Sequence, residues 1–351
     1  MKNEKSLKAL QVGATFAGTI IGAGFASGQE IAQFFTSYGP IGLAGVVLAG
    51  GLFGWLGGAL LDLGHKLHAE TYPEAIYHLC GRRFGLIIDL VTAAFLFTAV
   101  TVMLAGAATV LRDYFGVPYL NGLVAAALAI VLTVLYGVGG IVTANMVITP
   151  LLVLSILAIS IYSLSYHDFD LSLLNDELDA ITSPAPHWLL GSLLYVSYNL
   201  VIASTVLVPL GNLVADRKTR LMGGAIGGLT VGLLAMVIAL VVLIHSPEIL
   251  DYEVPFLELA SNQNPLSSVI YAFTLLAAMY TTAIASLYGC LAKMRHSLRL
   301  PPVITAATIT VAAIICGQAG FANLIRVLFP LFGYATLLFT ARLAWLSYRD
   351  N

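Results

Sequence analysis

Residues 12–35 read Val12-Gly-Ala-Thr-Phe-Ala-Gly18-Thr-Ile-Ile-Gly22-Ala-Gly24-Phe-Ala-Ser-Gly28-Gln29-Glu30-Ile-Ala-Gln33-Phe-Phe35. The stretch is apolar and long enough to cross a bilayer, which takes roughly 20 residues. It is poorly suited to an uninterrupted helix. Five glycines fall between residues 13 and 28, and each costs a helix interior on the order of 1 kcal/mol relative to alanine. Two uses of these glycines are open. Gly18-x-x-x-Gly22 and Gly24-x-x-x-Gly28 are small-residue packing motifs. Alternatively, the cluster from Gly22 to Phe25 marks an unwound segment, which a membrane tolerates only where protein or water satisfies the backbone. The polar Ser27, Gln29, Glu30 and Gln33 follow at once and favour the second use, because intramembrane ionisable groups mark functional sites. A break frees carbonyls on one side for a cation and amides on the other for a carboxylate. An amino acid or related zwitterion fits such a site, its charged end against the backbone of Gly22, Ala23, Gly24, Phe25 and Ala26.

The rest of the chain carries the same message. Of its 351 residues, 59% are hydrophobic and only 10% are charged. A soluble domain carries roughly 25% charged residues, so a soluble enzyme, a disordered chain and a secreted disulfide scaffold are excluded. A net charge of -2 offers no basic surface for nucleic acid. Cys80, Cys290 and Cys316 are far apart and form no metal or disulfide pattern. His65, His68 and His78 lie near Arg82 and Arg83 and read as a solvated surface. No H-E-x-x-H or G-x-S-x-G occurs, so no enzyme is expected. The first apolar stretch is too long for the core of a cleavable leader and reads as a span.

Ten spans are predicted, at about 10–36, 39–63, 86–111, 118–137, 144–165, 187–211, 220–245, 265–292, 301–317 and 321–346. With the N-terminus inside, 14 of the 16 Lys and Arg residues fall on the cytoplasmic side, all but Arg112 and Arg326. The outer loops are acidic: Asp168, Asp170, Asp176, Glu177 and Asp179 in one, Glu248, Asp251, Glu253 and Glu258 in another. That bias predicts a multi-pass protein of the plasma membrane with both termini cytoplasmic. Short helices at the membrane surface are expected at Tyr72–Cys80 and Pro255–Ala260.

Loop lengths repeat after five spans, with the long connection following the second span of each set. Five is odd, so the second set runs with opposite topology, the plan of an inverted repeat. The chain is then one polytopic all-α domain, with repeats at 9–165 and 187–346. Span 6 should break like span 1, around Ser197, Tyr198 and Asn199.

These residues resemble the amino acid–polyamine–organocation superfamily, whose fold is the LeuT-type five-plus-five bundle with helices 1 and 6 broken. The run from Gly22 to Glu30 is most similar to YkvI-type bacterial membrane proteins. In sodium-coupled relatives an ion lies between spans 1 and 8. The resemblance implies as ligands the carbonyls of Gly18 and Ile21, the carbonyl of Ala278, and the hydroxyls of Thr281 and Thr282. The alternative is that both threonines bond to carbonyls of their own helix. Oxygen ligands suit a hard cation. A second sodium of the family type is doubtful, since Phe25 stands where an Asn is required. Some proton-coupled relatives carry a lysine on span 5 instead of the ion; none occurs from Ala144 to Ser165.

Relatives also close the outer vestibule with an ion pair between spans 1 and 10. Glu30 and Arg326 are the matching residues, with signs reversed. Glu30 as a proton site and Arg326 as a lipid-facing snorkel are the alternatives. Together these features predict a sodium-coupled secondary transporter of a small zwitterion. The solute would sit midway between spans 1, 3, 6 and 8, with Ser197, Tyr198, Asn199 and Tyr280 also lining it. A non-transporting sensor on the same scaffold and a proton-coupled transporter are the competing readings. The sequence leaves the oligomeric state open.

Overall fold

The computed structural model describes residues 2–136, 141–166, 183–246, 248–298 and 301–349. The acidic residues Asp168, Asp170, Asp176, Glu177 and Asp179, along with Arg299, lie outside the described residues, as do the side chains of Lys2, Lys5 and Arg295. Every regular element among the described residues is helical. The helices are α1 (Lys2–Ile20), α2 (Ala23–Ala26), α3 (Gln29–Phe34), α4 (Gly42–Lys66), α5 (Tyr72–Phe115), α6 (Tyr119–Tyr136) and α7 (Ile141–Tyr166). Then come α8 (Trp188–Leu213), α9 (Arg217–Ile244), α10 (Pro255–Gln263), α11 (Pro265–Leu298), α12 (Pro302–Gly317) and α13 (Phe321–Arg349). Eight helical segments are long and apolar enough to cross a membrane, and α12 is a shorter apolar helix.

Local chemistry sets the boundaries. Thr71 and Glu74 form a reciprocal capping box at the start of α5, with Pro73 in its first turn. Gly81, at φ 71°, separates the short helix expected at Tyr72–Cys80 from the span that follows. Gly116, also left-handed at φ 69°, ends that span. The Asp216 carboxylate accepts from the Thr219 amide at 3.0 Å and caps α9.

The bundle is drawn together by a glycine seam between α4 and α9. A Cβ on Gly224 would run into the backbone of Gly58, and one on Gly228 into that of Gly54. A Cβ on Gly50 would stand 3.0 Å from the Cα of Gly232. Gly64 and Gly211 make the same close approach between α4 and α8, onto the carbonyls of Val208 and Leu61. Small residues allow backbones to approach this closely where lipid provides no hydrophobic drive for association. The centre is aromatic: Phe34, Phe35 and Phe53 pack around Tyr195 at centroid separations of 5.4, 5.0 and 5.9 Å.

The expected break in span 6 is absent. Helix α8 is continuous from Trp188 to Leu213. Ser197 and Asn199 bond along their own helix: Ser197 donates to the Leu193 carbonyl at 2.7 Å and Asn199 Nδ2 to the Tyr195 carbonyl at 3.0 Å. No glycine lies between Ser192 and Leu210 to relieve the backbone.

Candidate functional site

The chain from Ile20 to Gln29 builds the site. Helix α1 stops at Ile20, and α2 begins only at Ala23. Gly22 between them is extended, at φ -105° and ψ -175°. The Gly22 amide turns back to the Ile20 carbonyl at 2.8 Å, while the Ala26 amide takes the Gly22 carbonyl at 2.9 Å. None of the hydrogen bonds across this interruption reaches the carbonyls of Gly18, Thr19 or Ile21. Gly28, at φ 82°, then separates α2 from α3 by a left-handed turn. Only glycine takes that dihedral without strain.

Beyond this turn Glu30 packs against α2. Its carboxylate lies against Gly24, where a Cβ would collide with Oε1. Its Oε2 accepts from the Tyr198 hydroxyl at 2.9 Å. Glu30 is 7% exposed. Ala23, Gly24, Phe25, Ala26, Ser197, Tyr198 and Asn199 are buried in the same region, and Gly22 is half-buried. The ring of Tyr198 is enclosed by Phe34, Phe95 and Phe329, at centroid separations of 5.6, 5.9 and 5.3 Å. Glycine spacing pointed to Gly24 but not to the reason for it, which is room for a carboxylate.

Two expectations are corrected here. Glu30 and Arg326 do not pair: Glu30 is turned inward onto Tyr198, and the Arg326 Nε is buried without a hydrogen-bond partner. The burial of Glu30 against Gly24 and the Tyr198 hydroxyl accounts for this, since the carboxylate is already committed there. Tyr280 does not line the site either. It is 36% exposed, and its hydroxyl meets Thr133 of α6 at 2.5 Å.

The candidate ion ligands fall on neighbouring elements. Helix α2 packs on α11, where the Tyr271 hydroxyl donates to the Ala26 carbonyl. Ile21, Ala278 and Thr281 are buried, Thr282 is half-buried and Gly18 is exposed. Thr281 donates to the Ala278 carbonyl at 3.2 Å, which leaves its oxygen lone pairs available to a cation. These carbonyls and hydroxyls are all hard oxygen donors, the ligand type that sodium takes.

One end of the site is covered by α10. The Phe256 amide donates to the Ser27 carbonyl at 3.1 Å, and the Phe256 ring packs on Gly28. Glu253, just before α10, fastens this cover. It accepts from the Phe321 amide at 2.7 Å and the Thr109 hydroxyl at 3.2 Å, and it lies 3.6 Å from Arg112. From the sequence Glu253 was legible only as one acid among several. Its place before Pro255 and opposite Arg112, one of two basic residues off the basic side, was the available signal. Glu253→Ala is expected to expose a cysteine placed at Phe256, in a cysteine-free background, to aqueous maleimide several-fold faster. Unchanged labelling would separate Glu253 from the cover.

Comparison with known proteins now decides the family. The chain is 30% identical over 341 residues to the Bacillus subtilis membrane protein YkvI, covering 95% of each. It belongs to the YkvI family of membrane proteins. No family model matches the chain. The YkvI-family fold is shared with LeuT-type transporters. A manganese transporter from Eremococcus coleocola superposes with a TM-score of 0.65 at 20% identity, covering 97% of this chain and 79% of that one. MhsT in complex with L-phenylalanine superposes at 0.62 and 17% identity, covering 96% and 88%. At these identities the likeness speaks for the fold.

At the opposite end of this YkvI-family chain, Asp62 and Arg220 form a buried knot that the sequence did not reveal. The guanidinium is 4% exposed and meets Asp62 Oδ1 at 2.8 Å. It also donates to the carbonyls of Val214 and Ala215 at 2.6 and 2.8 Å, where α8 ends. Lys66 stands 3.2 Å from Asp62 Oδ2. An acid among leucines, Leu60-Leu-Asp-Leu, was the overlooked signal.

Proposed function

We propose that the chain is a secondary active transporter of a small amphipathic solute, with sodium as the coupling ion. The observation that carries this is the interruption of α1 beside a buried carboxylate. Backbone groups without helical partners and an ionisable side chain meet there in the interior of a membrane bundle, which is how transporter sites are built. The likeness to MhsT and to the manganese transporter supports the reading.

In this proposal the chain has ten spans, with α1 to α3 forming the first, and is arranged as inverted repeats at 9–165 and 187–346. Both termini are cytoplasmic, in the plasma membrane. The solute lies at the interruption, between the backbone of Gly22 to Ala26 and the side chains of Glu30, Ser197, Tyr198 and Asn199. Sodium is held by the carbonyls of Gly18, Ile21 and Ala278 and the hydroxyls of Thr281 and Thr282. The unit of α1, α4, α8 and α9, closed by its glycine seam, rocks against the remaining helices. In this reading the cover on Glu253 closes the outer side.

The test is uptake into proteoliposomes, with a sodium gradient and with potassium in its place. Thr281→Ala and Thr282→Ala are each expected to lower sodium-driven uptake at least tenfold and to raise the sodium concentration for half-maximal rate. Sodium dependence left intact in both variants would remove the ion site. Solute binding without flux would turn the protein into a receptor.

A further inference from the structure

We propose that Glu30 recognises the positively charged end of the solute, so that the site selects an amine-bearing molecule with its ammonium, not a carboxylate, against Gly24. This rests on the reading of the α1 interruption as the solute site. It departs from the expectation that backbone amides there receive a carboxylate.

The Glu30 carboxylate is buried, and no Lys, Arg or His among the described residues pairs with it. A carboxylate removed from water is strongly disfavoured without a counter-charge. One hydroxyl, that of Tyr198, is its hydrogen-bond partner. Arg326, the partner expected from the sequence, is not engaged with it. No counter-charge comes from the described residues, and a positive charge on the bound solute would supply one.

The surroundings fit such a charge. Phe34 of α3, Phe95 of α5, Tyr198 of α8 and Phe329 of α13 converge from four elements. Phe95 and Phe329 also meet each other at 5.5 Å. An ammonium within about 6 Å of aromatic faces is attracted by their quadrupoles, most strongly when desolvated. A carboxylate in this place would face both the Glu30 charge and the negative faces of the rings.

Thermal stabilisation of the purified full-length protein, at fixed sodium, would test this. The probes are two matched sets: phenylethylamine, phenylalanine and 3-phenylpropionate, then isoamylamine, leucine and 4-methylvalerate. Members carrying an ammonium in at least one set should raise the melting midpoint, and the two acids should not. In Glu30→Gln the apparent Kd for the stabilising amine should rise at least tenfold. Should that variant fail to give monodisperse protein, Glu30→Asp is read instead. Shortening the side chain should then weaken amine binding at least fivefold without creating acid binding.

Stabilisation by the acids as strong as by the amines overturns the assignment. So does amine binding undiminished in the variant, or no response to any probe. A shift produced by sodium alone and lost in Glu30→Gln would give the carboxylate to the ion, and also overturns it. Glu30-dependent amine binding without flux in proteoliposomes upholds the assignment and removes the transport reading. Flux of an acid independent of Glu30 does the reverse.

Discussion

Replacing Asp62 by Ala is expected to destabilise the protein by about 3–5 kcal/mol, the usual consequence of leaving one member of a buried ion pair unpaired. Arg220 is 4% exposed and its guanidinium is fixed by the Asp62 carboxylate and two backbone carbonyls. With Asp62 gone, the cation keeps its carbonyl partners but loses its counter-charge. Those bonds hold it at the junction of α8 and α9. Lys66 and Arg217, which also approach Asp62, would add repulsion. The double variant Asp62→Ala with Arg220→Met should recover most of the loss, since removing both charges leaves none stranded. Thermal unfolding in detergent, read beside size-exclusion profiles, measures both. Equal melting points for the single and double variants would mean the pair does not act as a unit.

The second large effect belongs to the glycine seam. Gly228→Ala places a methyl group against the backbone of Gly54, which has no side chain to move aside. The helices must separate along the seam, and overpacking of this kind costs about 1–3 kcal/mol or more. Gly51→Ala, on the same helix as Gly54, meets nothing within 4 Å. There alanine should help by up to about 1 kcal/mol, because it restricts the backbone more than glycine does. Opposite signs in the melting point are the expected result. A loss at both positions would show that helix propensity is irrelevant to the comparison.

The contrast between these glycines shows what could be read in one dimension. Span positions followed from hydropathy, since no soluble surface can be made from so few charges. The interruption near Gly22 was legible because glycine, then Ser, Gln and Glu, is an expensive way to fill a lipid-facing helix. The polar residues of span 6 gave the same type of signal and a different outcome. Ser197 and Asn199 return their hydrogen bonds to α8, and such local satisfaction cannot be told from a break by residue type alone.

Tyr280 was recoverable. Successive helical residues turn by 100°, so Tyr280 points nearly opposite to Ala278 while Thr281 and Thr282 return toward its face. The inward position of Glu30 was not recoverable. It depends on how Glu30 packs against Gly24 and Tyr198, and a glycine announces only that such an approach is permitted. Asp62 and Arg220 are 158 residues apart, and only the packing of α4 on α9 makes them partners.

Glu253 has a consequence for timing. One carboxylate holds the first amide of α13, a hydroxyl and a guanidinium of α5, and the segment that leads into α10. These bonds share an acceptor, so they cannot be released one after another without each loss weakening the hold on the rest. Hydrogen bonds to a charged group are worth about 1.5–3 kcal/mol each, and here they would fail together. A cover held this way is expected to open as a whole, its contacts with α5 and α13 released together.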